Sequence, residues 1–90
     1  MRFTVIWQPK PLRVLADLWT AGPDRGAIAA AADRIDEILA YDPMKAHGIV
    51  KSGNYYIIRE YPLGVDFEVQ ELDCKVIVNS IWRMTDLPQN

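Results

Sequence analysis

Positions alternate from Arg2 to Gln8, with Phe3, Val5 and Trp7 on one side and Thr4, Ile6 and Gln8 on the other, which predicts a strand. Pro9 and Pro11 end it, since proline donates nothing to a ladder, and proline in a first helical turn lets a helix begin there. Leu12, Leu15, Leu18 and Trp19 then recur at three- and four-residue spacing with Arg13 and Asp17 between them, an amphipathic helix of about three turns. Ala21-Gly22-Pro23 stops it. Asp24 is placed to cap the next helix. From Ala27 to Ala40 the chain is alanine-rich, and Ile28, Ala31, Ala32, Ile35, Ile38 and Leu39 form one stripe, with Asp33, Arg34, Asp36 and Glu37 mostly off it. The short loop makes the two helices an antiparallel hairpin.

After Asp42-Pro43 the pattern switches to period two. Ile49 to Lys51 is a short strand before the Ser52-Gly53-Asn54 turn. Tyr55 to Tyr61 is a second, Pro62-Leu63-Gly64 reads as a turn, and Val65, Phe67 and Val69 alternate with Asp66, Glu68 and Gln70 in a half-buried strand. Leu72-Asp73 leads to the longest run, Lys75 to Arg83. Its two alternating sets are Cys74, Val76, Val78, Ser80, Trp82 and Lys75, Ile77, Asn79, Ile81, Arg83. Both carry large apolar residues, so the strand should be covered on both faces and lie inside the sheet. Thr85 to Asn90 are polar and should fray. The order strand, helix, helix, strands gives an α+β fold: an N-terminal strand on a sheet edge, then a two-helix hairpin packed on one face of a three- or four-stranded antiparallel sheet.

Ninety residues hold one core, so residues 1–90 form a single domain. Three Trp and four Tyr are a heavy aromatic load for that length and point to surface reserved for a partner. The start of the chain does not read as a signal peptide, and no run reaches membrane-span length, so a cytoplasmic protein without membrane contact is expected. With one cysteine, Cys74, and one histidine, His47, neither a disulfide framework nor a zinc site can be assembled, and no cofactor or metal is expected. A net charge of −2 argues against nucleic-acid binding by a broad basic field. Any phosphate contact needs a local cluster.

The candidates for such a cluster are few. Arg83 ends the last strand as a permanent cation; the alternative is an ion pair with an acid such as Asp66 or Glu68. Arg59 is either a second phosphate contact or a cross-strand partner of Glu68. Lys51 is a third cation or a solvated loop lysine. Tyr55, Tyr56 and Tyr61 could stack on bases or line a protein groove, and alternation puts Tyr56 on the face opposite the other two. His47 titrates near neutrality but stands alone in a loop. Cys74 reads as a small buried hydrophobe, and Ser80 has no base beside it.

In element order, in its opening strand followed by proline and an amphipathic helix, and in the runs Tyr55-Tyr-Ile-Ile-Arg-Glu-Tyr-Pro-Leu-Gly-Val-Asp-Phe-Glu-Val69 and Lys75-Val-Ile-Val-Asn-Ser-Ile-Trp-Arg83, the chain resembles the RelE/ParE superfamily, the toxins of bacterial type II toxin–antitoxin modules of the plasmid-stabilisation type. The resemblance spans nearly the whole chain. It implies a toxin neutralised by a cognate antitoxin, acting either as an mRNA interferase on the ribosome or as an inhibitor of DNA gyrase. For the nuclease branch it implies a metal-independent endoribonuclease in which basic residues align the 2′-hydroxyl and neutralise charge at the phosphate. Arg83 falls on the arginine that closes the last strand. The family's other arginine falls near Gly64 or Val65 and its lysines near Tyr56 and Ile58, where this chain has none; Arg59 and Lys51 are the nearest substitutes. No aromatic residue follows Arg83 to match the family's C-terminal tyrosine. The catalytic candidates are therefore Arg83, Arg59 and Lys51, and those for contact with nucleic acid are Arg83, Tyr56 and Tyr61. The competing reading is a catalytically degenerate protein of the same fold that serves as an interaction or oligomerisation module, with a homodimer built through Leu15 and Trp19.

Overall fold

A computed structural model of the chain describes residues 2–22, 24–43 and 49–84. The elements run β1 (Thr4–Trp7), α1 (Pro9–Ala21), α2 (Arg25–Tyr41), β2 (Ile49–Ser52), β3 (Tyr55–Glu60), β4 (Leu63–Gln70), a 3-10 turn (Glu71–Asp73) and β5 (Lys75–Arg83). His47 and the segment from Thr85 to Asn90 lie outside the described residues. Lys51 sits in β2, but its side chain is not among those described.

The strands form one sheet in the order β1-β5-β4-β3-β2. β2 through β5 are antiparallel neighbours, whereas β1 lies parallel to β5, with Thr4 opposite Lys75 and Trp7 opposite Val78. The sheet is thus mixed and five-stranded, and the antiparallel expectation holds only for its last four strands. The parallel pair follows from the strand directions: β2 runs opposite to β1, and the three reversals from β2 to β5 bring β5 back to the direction of β1. β5 lies between β1 and β4, as its apolar character on both faces implied.

One face of the sheet carries α2. Its stripe of Ile28, Ala31, Ile35 and Leu39 is buried against Leu63, Val65, Phe67 and Val69 of β4 and Val76 and Val78 of β5. Alanine at position 31 lets the helix backbone come close to the strands, while the isoleucines and Leu39 fill the space between them. α1 is covered less well: Pro11 is its only buried residue, and Val14, Leu15 and Leu18 are half-buried at the margin of the core. The β3–β4 turn is tighter than the sequence suggested. Leu63 and Gly64 belong to β4, leaving Tyr61-Pro62 as the connection, because Leu63 is wholly buried and Gly64 faces Trp82 across the ladder.

β5 does not alternate regularly. Phe67 pairs with Val78 but Asp66 pairs with Ser80, so Asn79 is an extra residue, a β-bulge. The Gln8 side-chain amide donates to Asn79 Oδ1 at this point. Beyond the bulge the faces exchange. Ile81 and Arg83 join Val76 and Val78 on the helix-covered face, and Ser80 and Trp82 turn to the open face. This corrects the two alternating sets read from the sequence. A single inserted residue shifts every later side chain to the opposite face.

Candidate functional site

The bulge decides where Arg83 points. On the helix-covered face, opposite Leu63, its guanidinium meets the N-terminal end of α2. Nη2 lies 2.8 Å from Asp24 Oδ2, and Nη1 donates to Asp24 Oδ1 at 3.0 Å. The contact is bidentate, the arrangement in which a planar guanidinium and a carboxylate fit best. Arg83 keeps 34% of its side-chain surface exposed and Asp24 26%. Asp24 makes no side-chain capping bond to α2, so the cap expected there is replaced by this ion pair. Neither Asp66 nor Glu68 is Arg83's partner, because both lie on the other face of β4. Gly22 makes room for the pair: a Cβ at that position would lie 2.7 Å from Asp24 Oδ1 and 3.2 Å from Arg83 Nη1.

Arg59 stands on the open face, exposed, opposite Gly64. The residue opposite Glu68 is Tyr55, so the cross-strand pair expected between Arg59 and Glu68 does not form. Gly64 in turn faces Trp82, whose indole lies so close that a Cβ on Gly64 would meet its ring at 2.4 Å. Arg59, Gly64 and Trp82 form one row across the open face, with Tyr55 and Ile6 also exposed there. Arg83 and Arg59 therefore do not converge; the sheet separates them.

Tyr56 is on the helix side, half-buried, its ring stacked on Phe67 at 5.7 Å between centroids and 16° between planes. That ring face is occupied by the core. Tyr61 sits at the β3–β4 turn, 43% exposed, and its carbonyl accepts from Arg34 Nη2 at 3.3 Å. Arg34 Nε also pairs with Glu60 at 2.9 Å. On the other side of α2, Trp7 Nε1 donates to Asp36 Oδ1 at 3.1 Å. These contacts tie α2 to β5, β3 and β1 and were missed from sequence, because each joins residues at least 26 positions apart with no shared local pattern. Among the described residues no group of acidic, histidine or cysteine side chains could hold a metal ion. No described helix is long and apolar enough to cross a membrane.

No family model matches the chain, and no curated protein matches it by sequence. Its three-dimensional structure is nevertheless similar to solved toxins. The match to the toxin–antitoxin complex RelBE2 of Mycobacterium tuberculosis has a TM-score of 0.76 at 15% identity, over 96% of this chain and 95% of that one. The match to the RelE–RelB complex of Pyrococcus horikoshii has a TM-score of 0.71 at 15% identity, over 97% and 100%. The free E. coli RelE toxin matches with a TM-score of 0.70 at 14% identity, over 94% and 86%. The fold is the α+β fold of RelE toxins.

Proposed function

We propose that this chain is the toxin half of a toxin–antitoxin pair, held inactive by a protein antitoxin and acting on a cytoplasmic target. The observation that carries the reading is the match in fold, over nearly the whole chain, to proteins solved as toxin–antitoxin complexes. Induced expression of the chain alone should arrest growth, and co-expression of the product of the adjacent gene should relieve the arrest. Growth unaffected in every host tested, with no complex between the two products, would sink it.

The target is either messenger RNA or DNA gyrase. A cleavage site in RNA needs cations on one surface to share the phosphate charge. Here Arg83 is neutralised by Asp24 and Arg59 is on the opposite face, so this chain's geometry favours a target other than the scissile phosphate. Assays of RNA cleavage and of gyrase supercoiling, each run with wild type and Arg83→Ala, separate the two. The same ion pair supports a second reading, in which the fold persists as a catalytically degenerate interaction module. That reading expects neither assay to respond while binding to the partner persists.

A further inference from the structure

The sheet has two edge strands, β1 and β2, and only one of them is defended. At the β2 edge the pairing slips between Val50 and Ser52, and Lys51 stands at the slip. A bulge and a lysine are common means of keeping an edge from pairing with another chain. The β1 edge has neither. Thr4-Val5-Ile6-Trp7 carries no charge and no proline, and it pairs with β5 residue for residue. Its backbone is half used. Thr4 N–H donates to the Cys74 carbonyl at 2.8 Å and Gln8 N–H to the Val78 carbonyl at 3.4 Å, so the even-numbered residues face β5. The alternate residues of a parallel ladder then turn both backbone groups outward. Phe3 N–H is taken by the Ala40 carbonyl at 2.6 Å, but among the described residues nothing takes up the Val5 and Trp7 amides.

Charge is divided along this edge. α2 runs beside β1 in the opposite direction: Phe3 meets Ala40, and Trp7 Nε1 donates to Asp36. A hollow of about 350 Å³ between the two elements is lined by both Arg2 and Asp36. Arg2 stands at the Phe3 end, its guanidinium 5.7 Å from the centre of the Tyr41 ring. Asp36 stands at the Trp7 end, and Asp33 follows one helical turn further on, both exposed. The edge is therefore positive where the strand begins and negative where it ends. That is the charge pattern of a surface complementary to itself when turned end for end.

We infer that two copies of this chain join through their β1 strands, antiparallel about a two-fold axis at Val5, into one sheet continuous across both. In that register Val5 and its counterpart exchange both backbone bonds, as in a hydrogen-bonded antiparallel pair. Each Trp7 amide donates to the Phe3 carbonyl of the second copy. The Phe3 amide, already bonded to Ala40, is not needed. Ile6, 38% exposed, lies against Thr4 of the second copy on the open face. Arg2 reaches Asp36 and Asp33 of the second copy, and the symmetry makes every contact twice. The main-chain bonds supply affinity, and the split charge sets the antiparallel direction. The pairing draws on the edge alone and holds whether or not the toxin reading does.

The test uses the full chain. A short edge makes a small interface, so sedimentation velocity from about 5 to 500 μM should show the mass rise from one chain toward two. Hydrogen exchange should show the Val5 and Trp7 amides gaining protection with concentration, while those of Phe3, Thr4 and Gln8, already bonded, do not change. Thr4→Lys with Ile6→Lys sets like charges opposite each other on exposed positions, so it should weaken the dimer roughly tenfold or more and leave the melting temperature near that of the wild type. Arg2→Glu alone and Asp36→Lys alone should each weaken self-association. Mixed together, the two variants should form a heterodimer, which a mere loss of folding would not produce. A chain that stays monomeric through the whole range, a dimer broken by Leu15→Asp but not by the lysine pair, or no heterodimer from the mixture would each overturn the inference. So would Val5 and Trp7 amides that gain protection only from the product of the adjacent gene, since the edge would then belong to a different chain. Growth arrest reports on the toxin reading and mass on the edge, so either can fail alone.

Discussion

Arg83 and Asp24, 59 positions apart, are joined by a bidentate ion pair that fastens the end of the last strand to the start of α2. Sequence assigned each residue a different task, a phosphate contact for one and a helix cap for the other. They perform neither alone, because each satisfies its partner. Since both are partly exposed, solvent screens the pair and its contribution is modest. Arg83→Ala and Asp24→Ala should each lower unfolding free energy by about 0.5–1.5 kcal/mol, with a coupling of about 0.5–1 kcal/mol in the double mutant. Urea denaturation of the four proteins measures it. Purely additive single-mutant effects would show that the two groups do not act together.

How much of this was legible in the sequence follows from the range of each interaction. The two helices, the succession of strands along the chain and the internal place of β5 were readable because each rests on local periodicity, whereas the edge that β1 joins was not. The alanine stripe of α2 pointed to its buried face for the same reason. The parallel pairing of β1 with β5 was not readable, since two strands separated by the rest of the chain carry no mark of their mutual direction. Nor was the bulge, as Asn79 is an ordinary polar residue in an alternating run. Missing the bulge placed Arg83 on the wrong face and so misjudged its partner.

The bulge itself can be tested. Deleting Asn79 would restore plain alternation beyond Val78, moving Ile81 and Arg83 to the open face and forcing the Trp82 indole toward α2. Exposing Ile81, which is buried with only 6% of its surface accessible, costs about 2 kcal/mol on its own, and overpacking by the indole adds about 1–3 kcal/mol. The deletion should lower the melting temperature by well over 10 °C or prevent folding. A near-native melting curve would mean that the strand end is not held by its register. Gln8→Ala, which removes the side-chain bond to Asn79, should produce a smaller loss of about 1 kcal/mol.

Gly64 and Trp82 offer a test on the open face. Any side chain at Gly64 would run into the indole, the Cβ lying 2.4 Å from Cε2 and 2.5 Å from Nε1. A rigid ring in a strand cannot swing aside as a lysine would. Gly64→Ala should therefore cost about 1–3 kcal/mol and shift the tryptophan emission. In a Trp82→Ala background the obstruction is gone, and the same substitution should be close to neutral. A cost that persists without the indole would locate the constraint in the backbone instead.

The last expectation separates the buried side of the helical hairpin from its bare side. Leu39 of α2 is wholly buried against the sheet, whereas Leu12 on α1 is 52% exposed, although both are leucines on the apolar stripe of an amphipathic helix. Leu39→Ala removes three carbons from a packed site that can only partly collapse, so it should cost about 2–5 kcal/mol. At Leu12 most of the side chain already meets water, so Leu12→Ala leaves no closed cavity and should cost under about 1 kcal/mol. Chemical denaturation of the two variants in the isolated chain makes the comparison. If Leu12→Ala proved as damaging as Leu39→Ala, α1 would be held by its apolar side within this chain. A small effect at Leu12 in the isolated chain, becoming large once the partner is bound, is the pattern expected of an apolar side chain whose cover comes from a second molecule.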